Sequence, residues 1–323
     1  KDQSSIRSIA VSVAGTGAVA VGALIGANVI TNTVAAEITA STVASGSTLN
    51  LGAESSSSIM SLTAGVAGSG GGAVVISLSG NIITNTTKAG VVNDGATSSD
   101  VEAAGAVTIT AKDTSVIDAM AFGVSGTGGA AVGVALAANV ITNTIETAIA
   151  GSTLDTTAGG NLSLTSESSA VIRALAVGVS GSGGVAVQVT AMGNAIANTV
   201  KARITGSTVN AAGNVSLIAQ DIAPSLIPTW MVPADRSAEL NEKLSGSPVD
   251  LDGNILAVMV SVAGTGGVAV NGVFSGNVIA NSITSEIDNS TVHSGGFVDL
   301  DAQSRAGIFA ITVGVAGSGA VAV

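Results

Sequence analysis

The sequence predicts an all-β chain folded as a parallel β-solenoid, on three observations. A motif recurs about every 53 residues, as in Gly15 and Gly68 (68 − 15 = 53). Within each recurrence the local pattern alternates with period two, as strands do. The 323 residues are 46% hydrophobic yet only 2% aromatic, with 43 Gly and 4 Pro, so apolar surface has to be buried by small and β-branched side chains. A narrow, layered interior suits those residues, because stacked strands lie only ~4.8 Å apart. Collagen is excluded, since the glycines follow no G-X-Y period.

The first element of the unit is a Gly-Thr/Ser-Gly triplet beginning at Gly15, Gly68, Gly126, Gly181, Gly264 and Gly317. Thirteen residues later (28 − 15, 81 − 68) comes an Asn in the series Asn28, Asn81, Asn139, Asn194 and Asn277. That interval never changes, which marks packed strand rather than loop. A third mark closes a short strand at Leu51, Ile109, Leu164, Leu217 and Leu300, 23 to 28 residues further on. From it to the next triplet the distance is 17, except once, where it is 47, so one copy carries 47 − 17 = 30 extra residues. A unit of 13 + 23 + 17 = 53 residues is expected to make about three coils of ~18 residues. The triplets and the Ala-Gly-Asn segments read as turns needing positive φ. Strand alternation is plain in Ile172, Ala174, Ala176 and Gly178 against Arg173, Leu175 and Val177. The domain reading is therefore solenoid over 1–221, an insertion over 222–251, and solenoid again over 252–323.

Charge excludes other classes. Ten Lys+Arg against 21 Asp+Glu give −11, so neither nucleic acid nor an anionic membrane surface is expected as a partner. The long uncharged runs are broken by glycine and rich in Val and Thr, so no membrane-spanning helix is expected. An outer-membrane barrel would want aromatic girdles. With no Cys there is no disulfide framework, and an extracellular location is permitted.

Candidate chemistry is sparse. The one histidine, His293, falls in the variable turn 290–295 and reads as solvated. The acidic residues Glu37, Asp94, Asp113, Asp118, Asp155 and Glu167 occur singly and in different phases of the unit, so a paired-carboxylate groove of the glycosidase kind is not expected. No catalytic residue and no cofactor is assigned, and the chain is read as a non-enzyme. For metal, the candidates are Asp250, Asp252 and Asn254, spaced like the start of an oxygen-ligand loop but lacking the Gly and Glu that an EF-hand needs. Thr31-Asn32-Thr33 and its equivalents suggest an ice-binding array, but the threonines decay along the chain. The second Asn series, Asn32, Asn85, Asn143, Asn198 and Asn281, persists and reads, like Asn28 and its equivalents, as a structural turn or ladder position.

All four Pro and the only Trp lie in the insertion. Its extended apolar stretch with Pro228, Trp230 and Met231 is the candidate partner contact, and 234–244 reads as a short helix.

The segments Val13 to Val21, Gly26 to Thr33 and Gly206 to Leu217 resemble the repeats of giant secreted Gram-negative proteins, the filamentous-haemagglutinin-like and leukotoxin-type adhesins. That resemblance implies β-helical rods at the cell surface, with no active site to carry over. The expected function is a structural segment of an extracellular filament or adhesin stalk. It associates with itself or with neighbouring repeats, and it contacts a host or neighbouring-cell surface or a glycan. The alternative is a carbohydrate-binding or carbohydrate-cleaving solenoid. Both ends fall in mid-pattern without a polar cap, so the rod is expected to continue in both directions.

Overall fold

The computed structural model describes residues 1–227 and 252–323. Among these the chain is all-β, in parallel sheets with no helix, compatible with a β-solenoid. Among the described residues no helix is long and apolar enough to cross a membrane. The predicted helix at 234–244 lies outside the described residues.

The chain visits three sheets in rotation. Its first pass is β1 (Asp2–Thr16), β2 (Val19–Thr39) and β3 (Thr42–Ser45), and its second is β4 (Leu49–Ser69), β5 (Gly72–Val92) and β6 (Asp100–Ala103). The third pass is β7 (Val107–Thr127), β8 (Ala130–Ile141), β9 (Thr144–Ala150) and β10 (Thr153–Thr156). The fourth is β11 (Leu162–Ser182), β12 (Val185–Ile196), β13 (Thr199–Thr205) and β14 (Thr208–Ala211). The fifth is β15 (Val215–Asp221), β16 (Ile255–Thr265), β17 (Val268–Ile279), β18 (Ser282–Asp288) and β19 (Thr291–Ser294). A sixth comprises β20 (Val298–Ser304), β21 (Ile308–Ser318) and β22 (Val321–Ala322). One long sheet runs β1-β4-β7-β11-β15-β20, with β16 and β21 continuing its last two layers. A second long sheet holds β2, β5, β8, β9, β12, β13, β17, β18 and β22. A short third sheet is ordered β19-β14-β10-β6-β3.

Neighbouring strands are in register at a full pass, not a third of one. Asp2 pairs with Ser55 and Asn28 with Asn81, both 53 residues apart. Later offsets are 58, 55 and 83 residues, the last containing the 30 extra residues (83 − 53). Three coils to a unit would pair strands at ~18 residues, and among the described strands no pair has that spacing, so the expectation of three coils is corrected. The physical reason is strand length: a 21-residue strand such as β4 spans about 70 Å, and a pass with two of them consumes the whole unit.

The interior is banded. Where the three sheets meet, the core is Ile and Leu-rich, with Ile109, Leu164 and Leu217 facing Ile145, Ile149 and Leu154. A second band between the long sheets stacks Ile59, Ile117, Ile172 and Ile255 against Ile83, Ile141 and Ile196. Toward the glycine triplets the filling shrinks to Ala67, Ala73 and Val75. Polar bands separate these. Near the triplets the alternation carries Ala174 and Ala176 inward while Leu175 and Val177 point outward. In this half the small residues are inside and the large ones outside, the reverse of an interior filled by Val and Ile.

The triplet glycines are not at positive φ; Gly95, Gly151, Gly159 and Gly206 are. The expectation for the triplets is corrected by the stacking itself. A Cβ on Gly70 would lie 2.5 Å from the Gly17 carbonyl oxygen of the adjacent layer, and one on Gly128 would lie 2.6 Å from that of Gly70. Gly128→Ala is therefore expected to cost about 2 kcal/mol through overpacking. Gly193→Ala, whose Cβ meets nothing within 4 Å, should gain about 0.5 kcal/mol. Urea denaturation of the two variants checks both signs.

Candidate functional site

The best-developed chemistry lies inside, in two asparagine columns. Asn28, Asn81, Asn139, Asn194 and Asn277 sit within β2, β5, β8, β12 and β17 rather than in turns. Each of the first four donates from Nδ2 to Oδ1 of the next at 2.8 Å. In-register parallel pairing puts identical amides one layer apart, and an amide both donates and accepts, so the chain of bonds propagates.

The second column uses its amides differently. Asn143 Oδ1 accepts the Asn85 backbone N–H at 2.9 Å, Asn198 Oδ1 that of Asn143 at 3.0 Å, and Asn281 Oδ1 that of Asn198 at 2.9 Å. The Nδ2 groups then turn inward to the first long sheet. Asn143 Nδ2 donates to Asp113 Oδ1 at 2.7 Å, Asn85 Nδ2 to Asp113 Oδ2 at 2.9 Å, and Asn281 Nδ2 to Asp221 Oδ2 at 2.8 Å. Ser115 adds a donor to Asp113 at 2.6 Å, and Asn198 Nδ2 reaches Ser168 at 3.0 Å.

Of the six acidic residues named from the sequence, only Asp113 belongs to this column; Glu37, Asp94, Asp118, Asp155 and Glu167 stay in other phases, and Asp113 is joined instead by Asp2 and Asp221. Register aligns Asp2, Ser55, Asp113, Ser168, Asp221 and Ser304 in a single column. Carboxylate and hydroxyl alternate layer by layer, so like charges stand about 10 Å apart instead of ~4.8 Å. Asp113 and Asp221 are 0% and 1% exposed. Burial raises both carboxyls above the usual range, opposed in Asp113 by Ser115 and Asn85 and in Asp221 by Ser168 and Asn281. Asp221 is pushed up to about 6. Chemically the column supplies layer register: a one-residue slip would replace the Ser55 and Ser168 partners of Asp113 by Glu54 or Ser56 and by Glu167 or Ser169, and would turn those strands' inward side chains outward.

Outside, cations bridge layers. Arg173 makes a two-point contact to Asp118 at 2.6 and 3.1 Å, Lys1 meets Glu54 at 3.0 Å, and Arg203 and Lys88 both reach Glu146. His293 lies on β19, exposed and paired in register with Asn210, not in a turn.

Of the metal candidates, Asp250 is outside the described residues. Asn254 is fully buried, donating to the Ala170 carbonyl at 3.0 Å and accepting Gly307 N–H at 3.2 Å, so both ends of its amide are engaged between layers. Asp252 forms an antiparallel bridge with Ser225 at the base of the insertion, where Gly253 N–H reaches the Pro224 carbonyl at 2.9 Å and Leu226 is buried. No group of three or more His, Cys, Asp or Glu suited to a metal occurs among the described residues. Pro228, Trp230 and Met231 lie outside the described residues. No family model, curated protein or solved structure matches the chain.

Proposed function

We propose that the chain is a β-solenoid with one layer per 53-residue unit, serving as a structural segment of an extracellular filament or adhesin stalk that associates with itself. The observation supporting this reading is the unbroken asparagine ladder, which ties every layer it crosses to the next with the same bond. Such a ladder has no natural end; it favours adding layers of the same register. Six layers rise only about 29 Å, whereas each is about 70 Å wide. A filament therefore requires further layers against the open edges of β1 or β21, where backbone groups await a partner strand. X-ray fibre diffraction of concentrated, aligned protein is expected to give a ~4.8 Å reflection along the particle axis. Isolated slabs at every concentration would count against the stalk.

The insertion is the place for contact with a host or neighbouring-cell surface, or a glycan. Its described base closes like a hairpin through Ser225 and Asp252, so replacing 228–251 by Asn-Gly is expected to leave thermal stability within about 1 kcal/mol. Binding to cells or immobilised glycans should be lost. Retained binding would move the contact surface elsewhere on the chain.

A further inference from the structure

The outer face of the second long sheet carries a groove that the chain itself has no use for. Residues 27, 80, 138, 193 and 276 stack in register as Ala, Gly, Ala, Gly and Gly. These positions point outward, and Ala27, Ala138, Gly193 and Gly276 are exposed. Neither φ nor close packing demands the glycines. Gly80, Gly193 and Gly276 are not at positive φ. A Cβ on Gly193 or Gly276 would meet nothing within 4 Å, and one on Gly80 only an ordinary contact at 3.9 Å. Glycine weakens a strand interior, and its presence marks close approach by something else. The second triplet glycines Gly70, Gly128, Gly183, Gly266 and Gly319 show the contrast, because there the adjacent layer supplies that approach.

Ridges flank this floor. One is Ile25, Leu78, Leu136, Ala191 and Phe274; the other is Val29, Ile82, Val140, Ala195 and Val278. The first ridge and the floor line an open groove of about 660 Å³ that crosses five layers, and the second ridge stands on the far side of the floor. Ile25 is 77% exposed, Phe274 64% and Val278 56%. No charged residue occurs in 19–36, 72–87, 130–145, 185–200 or 268–285, although the chain as a whole carries −11. The patch from the Val21 column to the Val29 column covers roughly 30 by 24 Å, about 700 Å². That exceeds the 300–600 Å² of a typical monomer's largest apolar patch and approaches the ~800 Å² per partner of a stable interface.

We propose that this groove takes the Leu78–Leu136 ridge of a second copy of the chain. Ridge and groove lie two residues apart on the same face. A two-fold axis parallel to the layer stack and midway between them sets each copy's ridge in the other's groove. Both copies share one layer spacing, so the fit persists along the whole stack. A uniformly acidic partner is tolerated because the charges lie off this face. The proposal rests on the self-association in the proposed function, and supplies its lateral contact as distinct from end-to-end growth.

The test is sedimentation equilibrium of the 323-residue chain with folding followed by circular dichroism. The wild type is expected to dimerise at about 10 μM or tighter, the weak end for such an area. Gly193→Leu with Gly276→Leu fills the groove and should raise Kd at least about tenfold, as should Leu78→Asp with Leu136→Asp. Leu175→Asp, on the outer face of the other long sheet, should leave Kd unchanged. Should either pair fail to fold, Gly193→Ala with Gly276→Ala adds only two methyl groups and is expected to weaken the dimer about threefold or more. A wild type monomeric to about 100 μM, or dimerisation equal in the groove variants, overturns the proposal. So does a monomer that floats with phosphatidylcholine vesicles, which would assign the face to lipid. End-to-end filaments that persist in the groove variants leave the stalk reading intact while lateral pairing is judged separately.

Discussion

Asn143→Leu is expected to lower the unfolding free energy by about 4 kcal/mol. The substitution removes the 2.7 Å donor to Asp113, the 2.9 Å donor to Ser115 and the acceptor for the Asn85 N–H. A buried polar group that loses a partner costs ~1–3 kcal/mol; the Asn85 N–H loses its acceptor and Asp113 one of its three donors, keeping Asn85 and Ser115. The comparison is Asn139→Leu, which interrupts the neutral ladder at two amide bonds and should cost nearer 2 kcal/mol. Urea denaturation ranks the two. Asn143→Leu combined with Asp113→Leu removes the buried carboxyl together with one of its donors, so the pair should be less destabilised than the sum of the single changes. Additive losses would show that Asp113 does not depend on Asn143.

Period and alternation carry the all-β, parallel character of the chain in the sequence itself. The constant 13-residue interval from triplet to Asn marks a segment that spans the triplet turn and a continuous stretch of the second long sheet. The number of layers per unit was not readable, because a period of 53 constrains only the product of coil count and coil length. The facing of the strands was partly hidden too. In Leu175-Ala176-Val177 both alternating sets are apolar, so periodicity cannot say which set is inside; the narrowness of the sheet sandwich beside the glycine turn decides, and it admits the alanine. The carboxylate column was concealed by its own physics. Like charges cannot stack in adjacent layers at ~4.8 Å, so Asp recurs only in every second unit, at 15 − 2 = 13 and 126 − 113 = 13 residues before a triplet. For Asp221 the insertion then stretches the interval to 264 − 221 = 43. Subtracting the 30 inserted residues restores 13.

That column also sets an expected response to pH, opposite to ordinary acid denaturation. Asp221 is held near 6 in the folded chain against an ordinary 3.8, burial being the main cause, and Asp113 is displaced in the same direction. A raised carboxyl binds its proton more tightly in the fold than in the unfolded chain. Between about pH 4 and 6 the folded state therefore holds more protons, and stability falls as pH rises through that window. About two pH units at 1.36 kcal/mol each make the Asp221 contribution roughly 3 kcal/mol, fully present below pH 4 and lost above pH 6. Denaturant midpoints are expected to climb as pH is lowered from 7 to 4.5. Asp221→Asn keeps an oxygen acceptor for Asn281 and has nothing to titrate, so it should flatten most of that slope and stabilise the chain at pH 7. A midpoint that instead drops on acidification from pH 7, or a slope unchanged in Asp221→Asn, would mean that the carboxyl is ionised in the fold and that the amides around it hold a charge. In that case the alternation of Asp with Ser would serve to separate anions, whereas a neutral Asp221 makes it a column of hydrogen-bond donors and acceptors throughout.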